Sequence, residues 1–482
     1  MNEKLKAARL SKGWSQEEAA AQAGVSFRAY WNWENGVANP NFGSRRVLRD
    51  AFGCADEELG FGKAHDEVSS PAIFGTGEIL PALAFSDGSA IDWPTWFGMK
   101  LARILAEISL WRGKASFCDE VQIMIDQEIQ MIDHELQQYP QEEKQALSRR
   151  QVLITLAALP TALILGPGLL SDAAIEEFLP QCAASVTACW HLMKGKGFLA
   201  AGEVLSRFVP SLTALALRSS RYQMSAASLA TQASIIQGIL AMHQLNFAQR
   251  EMHCKEAVRY ATLSQNKRLQ AVSLMYLGYT YSHCYYPRQP QKAIPILNQA
   301  IQALDDKTSI LYSDILMGLS EAYAQCIEEQ EALYYSGLAH EHFPAYPEND
   351  PSFIYADCGL NTLYQWTGKM YLQLAEHFPD NGYQQRAAGN LLQSIGATSI
   401  SDRSANETVI YQADSARLLG ELDIYAKSLR QATQMAVQIG SRRRYHDALL
   451  VYGRTPEAWK NEQQIKLLAK EVFKGPPAKK IN

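Results

Sequence analysis

The amino-acid sequence predicts an all-α protein on three observations. Two short helices separated by a tight turn are indicated between Ser15 and Gly36. In the middle of the chain, apolar residues recur at intervals of three and four, which is the period of a helix. From about residue 185 one helical segment follows another, with small residues recurring where two helices would touch. At 482 residues the chain should form two or three domains.

The first predicted helix begins after Ser15, which has Glu18 three residues on, the spacing of a capping box. Its small residues would allow a second helix to pack closely against it: Ala19, Ala20 and Ala23. Gly24 follows where the turn needs a positive φ, and Ser26 caps the second helix. The stretch therefore predicts two helices joined by a short turn.

The second of these helices has two distinct faces. Tyr30 and Trp33 are spaced to face inward. The outward face carries polar and planar groups: Phe27, Arg28, Trp31 and Asn32. A guanidinium group pairs with guanine and a carboxamide pairs with adenine in the major groove of DNA. This pattern predicts a helix-turn-helix whose second helix reads double-stranded DNA.

These residues resemble the Cro/CI-type (XRE) DNA-binding domain of bacterial and phage repressors over about the first sixty residues. The positions that agree in order and spacing are Leu5, Ala8, Arg9, Trp14 to Glu18, Ala23 to Ser26, Trp33 to Gly36 and Pro40. The resemblance implies a five-helix domain over residues 1–62. It also implies a partly buried Arg9–Glu34 ion pair, which we interpret as specifying the fold rather than the DNA sequence.

The resemblance further implies that Gln16 binds a DNA phosphate and that Phe27, Arg28 and Asn32 reach base edges. Phe27 departs from the commoner polar residue of the family and would contact a thymine methyl group instead. Arginines 45, 46 and 49 follow on a further predicted helix that would flank the DNA backbone. The candidate DNA-binding residues are Gln16, Ser26, Phe27, Arg28, Trp31, Asn32, Arg45 and Arg46.

Glycine, serine and proline punctuate residues 63–91, which predicts a linker. Residues 92–184 follow as a helical connecting or dimerisation region. It begins at Asp92-Trp93-Pro94 and carries two amphipathic helices. Periodicity leaves two interpretations of this helix pair open: it docks on the rest of the chain, or it forms a dimer contact.

An uncharged run from Gln151 to Ser171 follows Arg149-Arg150. Its length is near the lower limit for a membrane-spanning helix. Pro160 interrupts the run and Gly166-Pro167-Gly168 ends the helix early. We expect a buried helix, with a membrane anchor through residues 152–170 as the alternative.

Residues 185–440 contain tandem helix pairs that resemble tetratricopeptide (TPR) repeats. The clearest unit has Leu316, Leu319, Ser320, Tyr323, Ala332, Ala339 and Pro344. A later unit places Gly368 and Tyr371 on its first helix and Ala388, Leu392 and Ile395 on its second. The sequence thus predicts a TPR-like α-solenoid with a right-handed stack of helix pairs. Residues 441–482 would form capping helices and a basic tail, with the arginine run at residues 442–444 a solvated helix end.

In TPR folds the first helix of each pair lines a concave groove. Carried onto the matching units, the resemblance assigns an effector groove to Tyr279, His283, Asp314, Glu321, Gln325, Gln365 and Lys369. Such polar and aromatic groups would hold an extended peptide by its backbone amides and one charged end.

The composition gives no indication of catalysis, of a metal site or of a cofactor. The eight cysteines lack C-x-x-C spacing, so neither a zinc site nor a disulfide framework is expected. No phosphate-binding loop is present, His340 and His342 lie on different helix faces, and His283 beside Cys284 lacks a recognisable third ligand or orienting acid. The net charge of -5 is weak evidence, because a large neutral region can conceal a small DNA reader.

The sequence therefore predicts a cytoplasmic, sequence-specific DNA-binding transcriptional regulator that is not an enzyme. It would act as a homodimer whose TPR-like domain senses a peptide or protein effector. The architecture, rather than any shared motif, resembles the peptide-sensing regulators of Gram-positive bacteria. Two alternatives remain open: a TPR scaffold that tethers a partner complex to DNA, and a membrane-anchored version of the regulator.

Overall fold

The computed structural model describes residues 2–12, 14–23, 27–36, 40, 45, 48–49, 51–55, 58–61, 93–110, 118–137, 142–160, 171–195, 197–347, 350, 355, 359–396 and 401–472. Within these ranges the regular structure is helical and contains no strand, so the all-α prediction is confirmed. The chain divides into two compact units, Met1–Asp87 and Gly88–Asn482.

The first unit contains α1 (Glu3–Ser11), α2 (Gln16–Gln22) and α3 (Phe27–Glu34), with further helical residues between 45 and 52. Its core consists of Leu5, Ala19, Ala20, Ala23, Tyr30, Trp33, Leu48, Phe52, Leu59 and Phe61. The small face of α2 and the inward face of α3 were both predicted, and both are buried here. The Phe52 ring stacks on Tyr30 and lies 5.3 Å from the centre of Trp14.

The second unit begins with three connecting helices: α4 (Trp93–Ser109), α5 (Cys118–Gln137) and α6 (Glu142–Ala157). A long series of helices follows: α7 (Asp172–Met193), α8 (Phe198–Leu217), α9 (Gln223–His243), α10 (Phe247–Ser264), α11 (Lys267–Tyr279), α12 (Pro290–Ala303), α13 (Ile310–Gln325), α14 (Glu329–Glu341), α15 (Leu360–His377), α16 (Tyr383–Gly396), α17 (Asp402–Leu419), α18 (Leu422–Ile439), α19 (Arg442–Gly453) and α20 (Gln463–Val472). A π-helical turn, Thr280–Cys284, continues α11.

The helices of the second unit stack in tandem pairs. From α9 to α19 each helix contacts the next one along the chain. In addition, each odd-numbered helix from α5 to α19 contacts the following odd-numbered helix. The odd-numbered helices therefore form a continuous layer, which is the arrangement expected when each pair buries its apolar face on its neighbours.

The connecting helices dock on this stack within the same chain. Gln122 on α5 and Gln232 on α9 exchange two amide hydrogen bonds, of 2.8 and 2.9 Å. The side chain of Gln122 also lies 3.3 Å from Thr187 on α7. Apolar residues of α4 and α5 belong to the main core: Ile104, Ile108, Val121, Ile125, Ile129 and Ile132. The docking interpretation of this region therefore describes its packing within the chain.

The start of the uncharged run is buried protein interior. Helix α6 ends at Ala157, and four of its residues lie in the main core: Val152, Leu153, Leu156 and Ala157. Residues 161–170, the second half of the run, lie outside the described part of the chain. One described helix, α8 (Phe198–Leu217), is long and apolar enough to cross a membrane, and 44% of its apolar window is buried in the protein. It packs between α7 and α9.

Close helix contacts occur where the repeat pattern placed small residues. A Cβ atom on Gly278 would lie 2.8 Å from Leu297, and one on Gly368 would lie 2.7 Å from Leu391. The Ser320 hydroxyl donates to the backbone carbonyl of Ala332 at 2.7 Å. The sequence thus located the contact points within the helix pairs.

The predicted register of α16 was wrong by one residue. The structure buries Ala387, Leu391 and Ser394, whereas Leu392 is 69% exposed. The expected core positions were instead Ala388, Leu392 and Ile395. The adjacent Ala-Ala and Leu-Leu pairs fit either register, and burial of Tyr383 at the first position of the helix selects the observed one.

The stack closes on itself, because α19 returns to α9 and the π-helical turn. The Ser441 hydroxyl lies 2.7 Å from Nδ1 of His243. Arg443 donates to the backbone carbonyls of His283 at 2.8 Å and Cys284 at 3.2 Å. The expectation that the arginine run is a solvated helix end was therefore wrong for Arg443 and Arg444, which is 8% exposed. These side chains join α19 to α9 and to the π-helical turn.

Candidate functional site

The entry to α2 has the predicted capping box. The Ser15 hydroxyl accepts from the backbone N–H of Glu18 at 3.1 Å, and the Glu18 carboxylate accepts from the backbone N–H of Ser15 at 2.8 Å. This reciprocal pair satisfies two N–H groups that have no partner inside the helix. It fixes the start of α2 and with it the position of Gln16.

A buried ion pair connects α1 with α3, as predicted. The Arg9 guanidinium donates to both carboxylate oxygens of Glu34, at 2.7 and 2.8 Å. Gln16 donates its side-chain amide to the same carboxylate at 2.7 Å. Burial would raise the pKa of Glu34, but hydrogen bonds from Arg9 and Gln16 hold it below its ordinary value. Glu34 thus orients Gln16 at the N-terminal end of α2, and one N–H of the Gln16 amide is engaged within the domain.

Of the other candidate DNA-binding residues, Trp31 lies on the outer face of α3 and is 41% exposed. The side chains of Phe27, Arg28 and Asn32 lie outside the described part of the structure, as do Ser26 and Arg46. Their assignment remains a prediction from the sequence.

Arg45 has a different environment from the one expected of a phosphate-binding residue. Its guanidinium donates to the backbone carbonyls of Pro40 at 3.0 Å and Phe61 at 2.9 Å, and it lies over the Phe61 ring. These contacts tie the end of the domain to the segment after α3. The structure therefore gives Arg45 a position inside the domain fold, which the spacing of the three arginines did not reveal.

The second unit contains a cavity of about 930 Å³ that is lined mainly by its odd-numbered helices. Its wall is formed by side chains from α9, α10, α11, α12, α13, α15, α17 and α19, together with the π-helical turn. The contact of α19 with α9 bounds this cavity on one side, and the cavity remains partly open to solvent. Its volume lies within the range of ligand sites for small molecules and short peptides.

Glu321 on α13 is the centre of a polar network beside the cavity. It is completely buried and bonds His283 from the π-helical turn. Lys369 Nζ from α15 lies 2.5 Å from Glu321 Oε1. The amides of Gln325 and Gln373 donate to the same oxygen at 3.0 and 3.2 Å. One carboxylate thus fixes four side chains from three elements.

The protonation states of this network follow from its surroundings. Burial would raise the pKa of Glu321, but its interactions with His283 and Lys369 hold it well below its ordinary value. Burial lowers the pKa of Lys369. Burial also lowers the pKa of His283 to about 4, so His283 is neutral at pH 7 and donates its Nε2 proton to Glu321. The buried ion pair is therefore between Glu321 and Lys369.

Aromatic rings form one wall of the cavity. Tyr279, His283 and Trp366 lie with their ring centres 4.9 to 5.0 Å apart. Lys369 lies over the rings of Trp366 and Tyr411, at 5.2 and 5.6 Å from their centres. The wall combines flat apolar surface with a fixed cation, a combination that binds amphipathic ligands.

A second charged cluster comes from α17 and α19. Arg444 bonds Glu407, and both Arg443 and Arg444 contact Asp447. Burial would raise the pKa of Glu407, but the Arg444 charge holds it at about 2. Arg454 pairs with Asp414 at 2.8 Å near the end of α19. Charged side chains therefore line the C-terminal wall as well.

Of the predicted groove residues, Tyr279, His283, Asp314, Gln325 and Lys369 line this cavity. Glu321 lies behind the wall, as described above. Gln365 is buried and does not line the cavity itself, but it accepts a hydrogen bond at 2.6 Å from the hydroxyl of Ser404, which does. The structure thus gathers residues from three separate repeat units at one site.

Two features of the site were missed from the sequence. His283 has an orienting acid, Glu321, but 38 positions separate the two residues and no local motif links them. The walls from α17 and α19 were not anticipated either. The run of three arginines at residues 442–444 was the available signal, and it was interpreted as solvated. Within the described residues, no group of three His, Cys, Asp or Glu side chains is placed to bind a metal ion.

Comparison with known proteins identifies the first unit. Residues 5–59 match the helix-turn-helix family of the XRE type. No curated protein matches the chain, and no solved structure does. The N-terminal unit is therefore an XRE-type helix-turn-helix domain, the module of a DNA-binding regulator.

Proposed function

We propose that this protein is a transcriptional regulator, not an enzyme, whose DNA binding is controlled by a peptide effector in the cavity of the second unit. One observation supports the proposal above all. A helix-turn-helix domain occurs in the same chain as a partly open cavity of about 930 Å³ that is lined by aromatic, apolar and charged side chains. The tandem helix pairs would then be TPR-like repeats, and the cavity would be their concave surface.

The closed stack favours a short ligand over a folded partner protein. Arg443 and Ser441 hold α19 against the π-helical turn and α9. A volume of about 930 Å³ matches a peptide of a few residues better than a folded domain. We therefore favour a peptide-sensing regulator over a scaffold for a large partner.

Control by an effector requires two conformations that bind it differently. We expect the contacts between α19 and the π-helical turn to differ between the two conformations, because both elements line the cavity. A ligand that contacts both α11 and α19 would favour the closed arrangement. In a homodimer, the resulting shift would alter the spacing of two recognition helices on a two-fold-symmetric site. The protein would act in the cytoplasm of a bacterial cell.

The test is chromatin immunoprecipitation with sequencing in three strains: wild type, Arg28→Ala/Asn32→Ala, and Arg430→Ala. Arg430 pairs with Glu471 on the surface of the second unit and serves as the control. We expect discrete peaks that share a two-fold-symmetric motif in wild type and control, and their loss in the double variant. Equal occupancy in all three strains would refute sequence reading by α3.

Measuring DNA binding to the identified site distinguishes the base contact assigned to Arg28 from the phosphate contact assigned to Gln16. Arg28→Ala should cost about 1–3 kcal/mol and relax specificity at one base pair. Gln16→Ala should weaken binding to cognate and random DNA alike, since a phosphate contact carries no sequence information. A selective loss for Gln16→Ala, or a uniform loss for Arg28→Ala, would contradict these assignments.

A further inference from the structure

Two buried amide oxygens in the cavity wall have no hydrogen-bond partner in the described structure. They belong to Gln325 and Gln373. Both side chains donate their amide nitrogen to Glu321, which accepts only, so the orientation of each amide is fixed by the network. Gln325 also donates to the Ser282 carbonyl at 3.0 Å. Each Oε1 atom is therefore an acceptor that a ligand N–H group or a water molecule can satisfy.

The opposite requirement is found at Arg250 on α10. This residue lines the cavity and is only 2% exposed. Its Nε donates to the Thr280 hydroxyl at 3.0 Å, and Nη2 lies 3.5 Å from the Tyr276 carbonyl. Among the residues that the structure describes, its Nη1 has no partner. A buried guanidinium whose hydrogen bonds go to neutral groups retains an uncompensated positive charge.

Arg250 is one of four arginines at this side of the cavity. Arg403, Arg443 and Arg444 also line it, and the charges of all four add to burial in lowering the pKa of the buried His243. Arg443 and Arg444 hydrogen-bond two carboxylates, Glu407 and Asp447. Arg250 has only neutral hydrogen-bond partners among the described residues, so these three cations face two anions. Nε of Arg444 is a further donor that no described atom accepts, and the excess charge of the three arginines is positive.

We propose that the effector carries an anionic group, a carboxylate or a phosphate, that binds Arg250 and the adjacent arginines, and N–H groups that donate to Gln325 and Gln373. This inference rests on the proposed function, because it describes the ligand of the same cavity. A short peptide with a free C-terminal carboxylate has both kinds of group on one backbone. A phosphorylated amine has them as well, so the source of the negative charge is decided by experiment.

The experiment is affinity selection with the full-length protein, followed by mass spectrometry of retained peptides. Two pools of random hexapeptides are compared, one with free C-terminal carboxylates and one amidated. A separate arm measures thermal unfolding with inorganic phosphate against chloride at equal ionic strength. The variants are Arg250→Gln and, because Arg250 is buried, the more accessible Arg403→Gln as a second cavity variant. Arg430→Gln on the surface is the matched control, and circular dichroism verifies folding.

If the anion is a carboxylate, the free-acid pool should be retained about tenfold more than the amidated pool, the scale of one charged hydrogen bond. Arg250→Gln and Arg403→Gln should abolish this preference, and the control should keep it. If the anion is a phosphate, inorganic phosphate should raise the unfolding temperature of wild type and control only. The inference would be overturned if the two pools were retained equally, or neither were retained, and phosphate had no arginine-dependent effect on the unfolding temperature.

Retained peptides are then added to a DNA-binding assay, which separates this inference from the proposed function. Free-acid peptides that require Arg250 but leave DNA binding unchanged would support the anion site and refute effector control. Peptides that change DNA binding equally well when amidated would support effector control and refute the anion site.

Discussion

Glu321→Gln should strongly destabilise the second unit, because it removes the acidic group that is bonded to a buried lysine. Lys369 is 7% exposed and its ammonium lies 2.5 Å from the Glu321 carboxylate. Removing one partner of a buried ion pair costs about 3–5 kcal/mol. Lys369 could lose its proton instead. At pH 7 this costs about 5 kcal/mol, because pH 7 lies about 3.4 units below the ordinary lysine pKa and each unit corresponds to about 1.36 kcal/mol. Attraction to the nearby Glu407 reduces the penalty. We expect about 3–4 kcal/mol.

The assay is urea denaturation of the full chain followed by far-ultraviolet circular dichroism. The two compact units can unfold separately, so the free energy is taken from the larger transition. Lys369→Met in the Glu321→Gln background removes both charges and should recover about 2–3 kcal/mol. Glu457→Gln, which breaks an exposed pair with Lys460, is the control and should change stability by less than about 0.5 kcal/mol. A loss below about 1 kcal/mol for Glu321→Gln, or no recovery in the double variant, would refute the reasoning.

Two further predictions concern the packing and the protonation of the same unit. Gly368→Ala should destabilise by about 1–2 kcal/mol, because its Cβ would lie 2.7 Å from Leu391 and 3.3 Å from the Ala387 carbonyl, and overpacking outweighs the gain in helix propensity. Gly389→Ala in α16 should raise the free energy of unfolding by about 0.5–1 kcal/mol, because no described atom lies within 4 Å of the new Cβ. Urea denaturation that showed both variants stabilised, or both destabilised, would contradict this. Because burial lowers the pKa of His283 to about 4, against about 6.5 in the unfolded chain, the unfolded chain binds the extra proton between these values. The free energy of unfolding should therefore fall by up to about 3 kcal/mol from pH 7 to pH 4 through this residue. His283→Gln should remove that part of the pH dependence. An unchanged pH dependence would show that His283 is not buried in its neutral form.

Local sequence signals predicted the start of α2 and the inward face of α3 in the first unit. The capping box of Ser15 and Glu18 acts over three residues, and the spacing of Tyr30 and Trp33 is a property of one helix. The Arg9–Glu34 pair joins two helices, but it came from the family resemblance rather than from spacing. Features that repeat within a short segment, or within a family, can be predicted from one sequence.

The second unit was predicted less completely, for physical reasons. Small residues such as Gly368 mark helix contacts, but the doubled residues of α16 fit two registers, and only tertiary packing of Tyr383 selects one. The cavity wall from α19 depends on closure between residues about 200 positions apart, such as His243 and Ser441. A repeat pattern describes contacts between neighbours, so it carries no information on where the stack meets itself.

The closure of the stack also affects when the site can exist during synthesis. The cavity wall includes side chains of α19 as far as Arg454. A chain still on the ribosome can stack its earlier helix pairs one after another, since domains form progressively as the chain emerges. It has no complete cavity until α19 has left the ribosome. Occupancy of this site would therefore report on chains synthesised through α19, and a chain truncated before α19 would keep its N-terminal domain without the proposed effector site.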